Sequence, residues 1–578
     1  MRPTCAMRSA RPSLRRRRSG TDMDTQTMTH AAPARAVAPR YYWLWHLAAL
    51  KVLDADFGAA PEAVPPLSQS ALREVPVPQI RSTVWDRIPG GTATVALIDT
   101  GVSRTHPNLA SRVDAERSID LTTHRYGAQS VPVADATPWT REGRRAFFAN
   151  LDLEGLQPLQ LSSHEQDFLE AMVEDLRQSQ GVTRPLSDGD ESFSAHGTAC
   201  AGLIVGEPAA VAPGTGALLP PAEAFPDGEP NPNGNLLPYF GVDPFSRLIS
   251  IRTSFESDPY QFITAFLYAW QHKVDAIVLP RGLPDPVRAP LQPKEDLKAD
   301  LETWKSRDAA DLFQRLQMLG NGSGDPDAAQ AGFQPDRPWK ILSHLIQAIS
   351  RHIPIVCAAG NDGESQLIYP ASLADDSNGI VSVGAVTAEG LRAGYSNYGE
   401  GLTLVAPSDD YPVYNRHQMR LNRFDPLIGL HDYAVGAGRE HVYCPLELVT
   451  TDLPGVFGYD SGAQPWAQVM PAQGNPGLGG GYYTGFGGTS GASALVGGLL
   501  ALAQRARRAA GKAPLGGHAL KRLLRRASST GAVVAPGYRP LTPDTMNADD
   551  ETLLGPAAFF GAGLPDARLL VEEAVAHP

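Results

Sequence analysis

The chain has 578 residues, of which 42% are hydrophobic, and its formal net charge is −12. Residues 1–20 contain seven Arg and no acidic residue, so the rest of the chain carries about −19. Phosphate binding requires a basic face, and this balance therefore argues against nucleic acid as a partner of the main body. The length and hydrophobic content suit about two to four average domains, or one large domain with insertions.

The basic start of the chain lacks the apolar stretch that follows the charges of a secretory signal. It is interpreted as a disordered tail, or as sequence upstream of a start at Met23 or Met28. The longest apolar stretches, YYWLWHLAALKVL and ASALVGGLLALA, fall short of the about 18 residues of a spanning helix. We therefore expect a soluble, cytoplasmic protein, with secretion as the alternative. No disulfide framework is expected from the four scattered cysteines, Cys5, Cys200, Cys357 and Cys444.

Short segments of apolar and β-branched residues, bounded by turn signals, predict buried strands. These segments are 91–99, 246–253, 274–280, 353–360, 379–386 and 402–407. Helical periodicity at 260–273 and 339–352 separates several of them. The alternation of strands and helices predicts an α/β fold with a mostly parallel sheet covered on both faces. Ligands in such folds bind at the carboxyl ends of the strands.

Four long stretches with weak periodicity interrupt this pattern, and they are rich in Pro, Gly, Asp and Asn. They lie near 124–192, 206–240, 284–337 and 408–480. Loops of this length inside a compact domain are usually functional or disordered insertions. The expected organisation is an N-terminal extension, a large domain that carries the insertions, and a short tail, with bounds of 1–75, 76–572 and 573–578.

Three polar residues stand next to predicted elements of the sheet. Asp99 ends a strand in LIDTG, His196 precedes a helical stretch in SAHGTACAG, and Ser490 lies before another in GGTSGAS. Taken alone, each has a structural interpretation: a turn former, a structural histidine and a helix N-cap. A single motif therefore leaves the chemistry open.

In the order Asp, His, Ser, the three motifs resemble the subtilisin-like serine proteases, the subtilase (peptidase S8) family. The stretch IVCAAGNDG is similar to the family's oxyanion-hole segment and carries Asn361. Further matches extend the resemblance over about 80–572. It implies a subtilisin-like three-layer α/β sandwich, with a mostly parallel sheet, helices on both faces and long insertions.

The resemblance implies a serine endopeptidase whose catalytic triad is Asp99, His196 and Ser490. His196 would accept the proton of the Ser490 hydroxyl during attack on a peptide carbonyl, while Asp99 holds the imidazole in the required tautomer. Asn361 and the backbone N–H of Ser490 would stabilise the oxyanion. The substrate is then a protein or peptide, and the chemistry requires no cofactor.

The substrate-binding strand departs from the family pattern. Relatives carry Ser-Leu-Gly-Gly or Ser-Trp-Gly-Pro where this chain reads PRGL over 280–283. Gly282 keeps the glycine that pairs with an extended substrate, and Gly488 permits a close approach of the backbone. Arg281 is either a solvated charge at the rim of the cleft or a group that favours acidic substrate side chains. Ile368 replaces a pocket-lining glycine of some relatives and is expected to shorten the primary pocket.

Metal binding and access to the cleft depend on three further features. Cys200 matches a free cysteine of the proteinase K branch and is expected to be buried as a small hydrophobic residue. DGEPNPNGN over 227–235 spaces oxygen-bearing side chains as calcium loops do, which leaves a structural calcium open. No other metal is expected. The insertion at 284–337 is expected either to limit access to Ser490 or to pack away from the cleft.

Two other functions belong to different classes of protein. A catalytically silent subtilase-fold binding protein is the main alternative, and the complete triad argues against it. An esterase on the α/β-hydrolase fold expects the chain order Ser, Asp, His, which this sequence lacks. No clear propeptide pattern is visible in 1–75, and we expect a monomer without a membrane-spanning segment.

Overall fold

The computed structural model describes the following residues: 44–54, 82–104, 106–121, 137–138, 141–149, 151–178, 183–184, 195–208, 210–211, 218–219, 239–253, 259–285, 337–363, 366–387, 392–393, 395–409, 447–453, 458–459, 482–532 and 556–578. The strands in these ranges are β1 (Thr94–Asp99), β2 (Ile119–Asp120), β3 (Thr137–Pro138), β4 (Thr183–Arg184), β5 (Ala210–Val211), β6 (Leu218–Leu219), β7 (Arg247–Arg252), β8 (Ala276–Leu279), β9 (Ile355–Ala358), β10 (Ile380–Val386), β11 (Leu404–Pro407), β12 (Leu448–Thr451), β13 (Tyr483–Phe486), β14 (Ser528–Ser529) and β15 (Leu564–Pro565). The α-helices are α1 (Trp45–Ala49), α2 (Thr83–Asp86), α3 (Arg141–Ala149), α4 (Ser163–Gln178), α5 (Ala195–Val205), α6 (Pro259–Gln271), α7 (Arg337–His352), α8 (Gly488–Ala509), α9 (Gly517–Arg526), α10 (Pro556–Phe560) and α11 (Ala567–Ala576).

The central sheet of the described chain has nine strands in the order β11-β10-β9-β8-β1-β7-β2-β4-β3. The first seven are parallel, and β4 and β3 extend the sheet antiparallel at one edge. All six strands predicted from the sequence occur. Leu97 of β1 lies between Val278 of β8 and Ser250 of β7. The carboxyl end of β1 therefore opens at the middle of the parallel edge, where ligands bind in such folds.

Helices on both faces of the sheet complete the three-layer α/β sandwich that the sequence predicted. On one face α8 packs against α5 and α11 and crosses β8 to β11, while α6 and α7, the helices predicted at 260–273 and 339–352, pack against each other. A Cβ on Gly497 of α8 would lie 2.3 Å from Cγ2 of Val278, so this glycine permits the close approach of helix and sheet. None of the described helices combines the length and apolar character needed to cross a membrane.

A buried ion pair fixes α8 to the segment before β7. The Arg505 side chain is 1% exposed, and its Nε donates to Oδ1 of Asp243, which is fully buried, at 2.9 Å. The Arg505 Nη1 also donates to the carbonyl oxygen of Ile88 at 3.3 Å, near the start of β1. Breaking such a pair is costly because the remaining charge is left buried. This interaction therefore ties the helix that carries Ser490 to the sheet.

The two ends of the large domain differ from the bounds expected from the sequence. Residues 44–54, assigned to an extension, belong to the core, because the side chains of Leu44, Leu47 and Leu50 are fully buried. The Ala567 N–H donates to the carbonyl oxygen of Leu50, which joins this segment to α11. Residues 573–578, assigned to a tail, include the end of α11 and are held by hydrogen bonds from Arg507.

The first insertion contributes structure to the sheet and its cover. Within 124–192 the chain forms α3 and α4, and strands β3 and β4 continue the main sheet. None of these elements was predicted from the sequence, and the two strands are too short, at two residues each, to carry a pattern. Within 206–240, β5 pairs with β6, but the candidate calcium loop at 227–235 lies outside the described residues, as does most of 284–337.

Candidate active site

Asp99 is the last residue of β1 and lies at the carboxyl edge of the sheet. Its side chain is 1% exposed, and the Thr100 N–H donates to Oδ1 at 2.6 Å. Burial alone would raise the pKa of this carboxyl. The charge of His196 and its hydrogen bond, the Thr100 N–H and the charge of Arg281 outweigh burial, so the pKa of Asp99 is lowered overall. The group is therefore ionised at neutral pH.

His196 is the second residue of α5, and it faces Asp99. Its Nδ1 lies 2.7 Å from Oδ2 and 3.0 Å from Oδ1 of Asp99. A Cβ on Gly197 would lie 2.0 Å from the carbonyl oxygen of Gly101, so only glycine lets α5 begin this close to the end of β1. The Phe486 ring packs edge-on against the imidazole, with ring centroids 5.5 Å apart. The imidazole of His196 is thus paired with the Asp99 carboxylate at the end of β1.

Ser490 lies in the first turn of α8, after a turn that two glycines make. Gly488 has a φ of +71°, which favours glycine, and Ser490 is 9% exposed. The Ser490 Oγ donates to the carbonyl oxygen of Pro280 at 2.9 Å. Among the described residues its hydroxyl makes no hydrogen bond to His196, so the side chain must rotate before the imidazole can accept its proton.

Asn361 follows β9 and is anchored by the residue that precedes Ser490. Its Oδ1 accepts hydrogen bonds from the backbone N–H and from the hydroxyl of Thr489, both at 2.8 Å. These two bonds determine which side of the amide is the acceptor. The Nδ2 is the donor left over, and a Cβ on Gly488 would lie 3.1 Å from it. The arrangement places an amide donor beside the turn that carries Ser490.

Of the residues predicted to bind substrate, Arg281 and Gly282 follow β8, Ile368 packs near them, and Gly488 begins α8. A Cβ on Gly282 would lie 2.9 Å from Cδ1 of Ile368, and one on Gly360 would lie 2.7 Å from its Cγ2. The Ile368 side chain therefore fills the space between Gly282 and Gly360. Arg281 is half-buried, and its guanidinium carbon lies 5.4 Å from the centre of the Phe262 ring. The positive charge of Arg281 contributes to the lowered pKa of Asp99.

Cys200 is fully buried, as the sequence predicted, and carries a free thiol. One potential ligand atom from each of Cys200, Asp99 and His196 lies within 4.8 Å of the others, the one such group in the described chain. Burial, followed by the charge of Asp99 and a hydrogen bond to it, raises the pKa of the thiol well above its usual range. The thiol is therefore protonated, and Nδ1 of His196 is already paired with Asp99, so this group is poorly suited to hold a metal.

Several residues at this edge of the sheet were not predicted from the sequence. Asp409 and Ser408 follow β11 and contact Gly488, and Thr489 holds the Asn361 amide. The signal that could have found Asp409 is its position, because it is an acid just after a buried strand, as Asp99 is. The proximity of Arg281 to Asp99 could have been expected from adjacent parallel strands, which end side by side.

A family model for the subtilase family matches residues 90–563. The match covers well over half of the chain and spans all four residues described above. The chain therefore belongs to the subtilase family, as its motifs indicated.

The similar proteins match over limited lengths. Subtilisin BL from Lederbergia lenta is 43% identical over 97 residues, which are 17% of this chain and 34% of that protein. The cell wall-associated protease of Bacillus subtilis is 46% identical over 61 residues, which are 11% and 6%. The chain thus matches about a third or less of the length of these relatives. Among solved structures, the epidermin leader peptide processing serine protease from Staphylococcus aureus is 15% identical, with 86% of this chain and 78% of that chain covered and a TM-score of 0.44.

Proposed function

We propose that the protein is a serine endopeptidase, with Ser490 as nucleophile, His196 as general base and Asp99 as the group that orients the base. The observation that carries this proposal is the pairing of His196 Nδ1 with the Asp99 carboxylate at 2.7 Å, at the edge of the sheet where Ser490 lies in the first turn of α8. Family membership supports the same chemistry. All the reacting groups are side chains of this chain.

The first step is a rotation of Ser490. Its hydroxyl leaves the carbonyl oxygen of Pro280 and turns toward Nε2 of His196, which is the acceptor because Nδ1 donates to Asp99. The oxygen then attacks the substrate carbonyl while His196 takes the proton, and later returns it to the leaving amine. Water releases the acyl group by the same route. Asp99 stays ionised and stabilises the imidazolium.

The tetrahedral intermediate carries a negative oxygen that two donors would stabilise. They are the Nδ2 group of Asn361 and the backbone N–H of Ser490 at the N-terminal end of α8. The Thr489 bonds orient the Asn361 amide before the reaction, so little rearrangement is needed when the charge develops. Loss of one such donor typically lowers the rate about 100- to 1000-fold.

The acyl side of the substrate would lie along the end of β8. The Pro280 carbonyl becomes available as an acceptor for a substrate N–H once Ser490 has rotated away from it. Ile368 occupies the space between Gly282 and Gly360, so the pocket for the side chain next to the scissile bond favours small residues. The charge of Arg281 helps to lower the pKa of Asp99. Its role as a contact for acidic substrate side chains stays a prediction.

The proposal is tested with an unfolded protein as substrate. Wild type should cleave casein, and Ser490→Ala should reduce cleavage to the background rate. Ser529→Ala is the matched control, because Ser529 is exposed and lies far along the chain from the site. Equal cleavage by wild type and Ser490→Ala would refute the assignment. No cleavage by a folded wild type, with no reaction at Ser490, would favour the silent binding protein.

A further inference from the structure

Two carboxyl groups lie under the turn that leads to Ser490, and the triad chemistry does not use either. A Cβ on Gly487 would lie 1.9 Å from Cγ of Asp409, and one on Gly485 would lie 2.2 Å from Oε2 of Glu447. Residues 485 and 487 are two apart, so both acids lie against the same face of the chain as it leaves β13. Each carboxyl group occupies the space that a side chain would fill.

Asp409 and Ser408 together hold both polar groups of the Gly488 backbone. The Gly488 N–H donates to Oδ1 of Asp409 at 3.1 Å, and the Ser408 hydroxyl donates to the Gly488 carbonyl oxygen at 2.8 Å. The Tyr395 hydroxyl donates to the same Oδ1 at 2.6 Å and steadies the carboxylate from the other side. Asp409 is 7% exposed, so water competes little for these bonds.

Among the described residues, no hydrogen bond is made to the carboxyl group of Glu447, in contrast to that of Asp409. Within the described chain, the hydrogen bond at this residue is made by its backbone oxygen, which accepts from the Trp45 indole at 2.9 Å. Burial, and then the charge of Asp409, raise the pKa of Glu447 to about 7. Among the described residues, Tyr395 bonds to Asp409, and His46 lies beside Trp45 with a pKa that burial lowers to about 3. The rings of His196 and Tyr459 pack against Phe486, between the two glycines.

We propose that Asp409 is a positioning residue that fixes the Gly487–Gly488 turn before Ser490, and that Glu447 determines how much negative charge this turn faces. The inference rests on the proposed function, because the turn sets the place of the Ser490 N–H and of Asn361. One carboxylate at the N-terminal end of α8 stabilises the helix. A second negative charge repels the first, and it also opposes the negative oxygen that forms beside Asn361. The site is therefore expected to work best with Asp409 ionised and Glu447 protonated.

The positioning role is tested by amide hydrogen exchange in the full-length protein, which does not depend on activity. In Asp409→Ala, exchange in a peptide that covers residues 486–490 should be faster than in wild type. Asp409→Asn keeps an acceptor oxygen for Gly488 and should restore protection. Asp376→Asn is the control, because its side chain is 88% exposed. Unchanged exchange in Asp409→Ala would overturn the positioning role, whatever the activity.

The kinetic arm measures kcat and KM on a peptide p-nitroanilide with a small residue before the scissile bond. Asp409→Ala should lower kcat about 10- to 100-fold with KM changed less than about threefold, since it displaces reacting groups. Asp409→Asn should recover most of kcat near pH 6. An effect on KM alone, or no recovery by Asn, would contradict the proposal.

The role of Glu447 is tested by the ratio of kcat for Glu447→Gln to kcat for wild type. Effects of pH that are the same in both proteins cancel in this ratio. The ratio should be near one at pH 6 and rise to the order of tenfold by pH 8.5, because only wild type gains the second charge. Glu400→Gln, which changes an exposed glutamate, should give a flat ratio. A flat ratio for Glu447→Gln would overturn the role of Glu447. If wild type shows no cleavage that depends on Ser490, the proposed function is overturned instead.

Discussion

Replacement of Asp99 by Asn should abolish most activity through the tautomer of His196. In the structure the Thr100 N–H donates to Oδ1 at 2.6 Å, so in the variant this position must remain the amide oxygen. The amide nitrogen then occupies the Oδ2 position, 2.7 Å from Nδ1 of His196, and donates to it. Nδ1 becomes the acceptor, the proton moves to Nε2, and the imidazole can no longer accept the proton of Ser490.

The expected loss in kcat is about 10⁴-fold, or about 5.4 kcal/mol of transition-state stabilisation. The assay is kcat for a peptide p-nitroanilide at pH 7 to 8, together with thermal unfolding to show that the variant is folded. Asp86→Asn is the control, because Asp86 is exposed in α2. If folded Asp99→Asn retained more than about a tenth of wild-type kcat, the assignment of Asp99 and of the His196 tautomer would be refuted.

Three further changes test the pocket, the acid stability and the core. Ile368→Gly should raise kcat/KM by about 10- to 100-fold for substrates with Phe or Leu before the scissile bond, and kcat/KM for an Ala substrate should change little. The reason is that the substitution opens the space between Gly282 and Gly360. Equal changes for all substrates would count against a filled pocket. The buried His46 ring has no hydrogen-bond partner in the described chain, and burial lowers its pKa to about 3. Between pH 6.5 and 3, the unfolded chain therefore binds a proton at this residue that the folded chain does not. Stability should therefore fall as pH drops from 6.5 toward 3, by up to about 1.4 kcal/mol per pH unit from this group, and urea unfolding of His46→Leu should lack that part of the slope. Arg505→Met should lower the free energy of unfolding by about 3 to 5 kcal/mol, because the charge of Asp243 is left buried without its ion-pair partner. Adding Asp243→Leu should restore much of this stability. If the double variant is no more stable than Arg505→Met, the broken ion pair is not the cause of the loss.

The main features of the sheet could be predicted from the sequence because buried parallel strands carry a strong local pattern. The apolar runs at 94–99 and 380–386 are each buried along almost their whole length. Asp99, His196, Ser490 and Asn361 could be proposed as site residues because each lies within a short motif whose glycines meet a local need for close approach. Gly197 against Gly101 is one case, and Gly488 at positive φ is another.

Features that depend on contacts between distant parts of the chain were not predictable. The segment at 44–54 belongs to the core, and the Trp45 indole bonds to Glu447, 402 residues away. No pattern within a window of a few residues contains that information. The position of Asp409 under Gly487, and the bond from Ser490 to Pro280, likewise result from packing of strand ends that are far apart in sequence.

The most direct test of the central claim is to map the adduct of a fluorophosphonate probe by mass spectrometry. A fluorophosphonate reacts with a serine only when a base activates it, so the label reports the nucleophile itself. We expect one adduct, on Ser490, that is absent from Ser490→Ala and forms far more slowly in His196→Ala. Labelling of another serine, or equal labelling of wild type and Ser490→Ala, would contradict it.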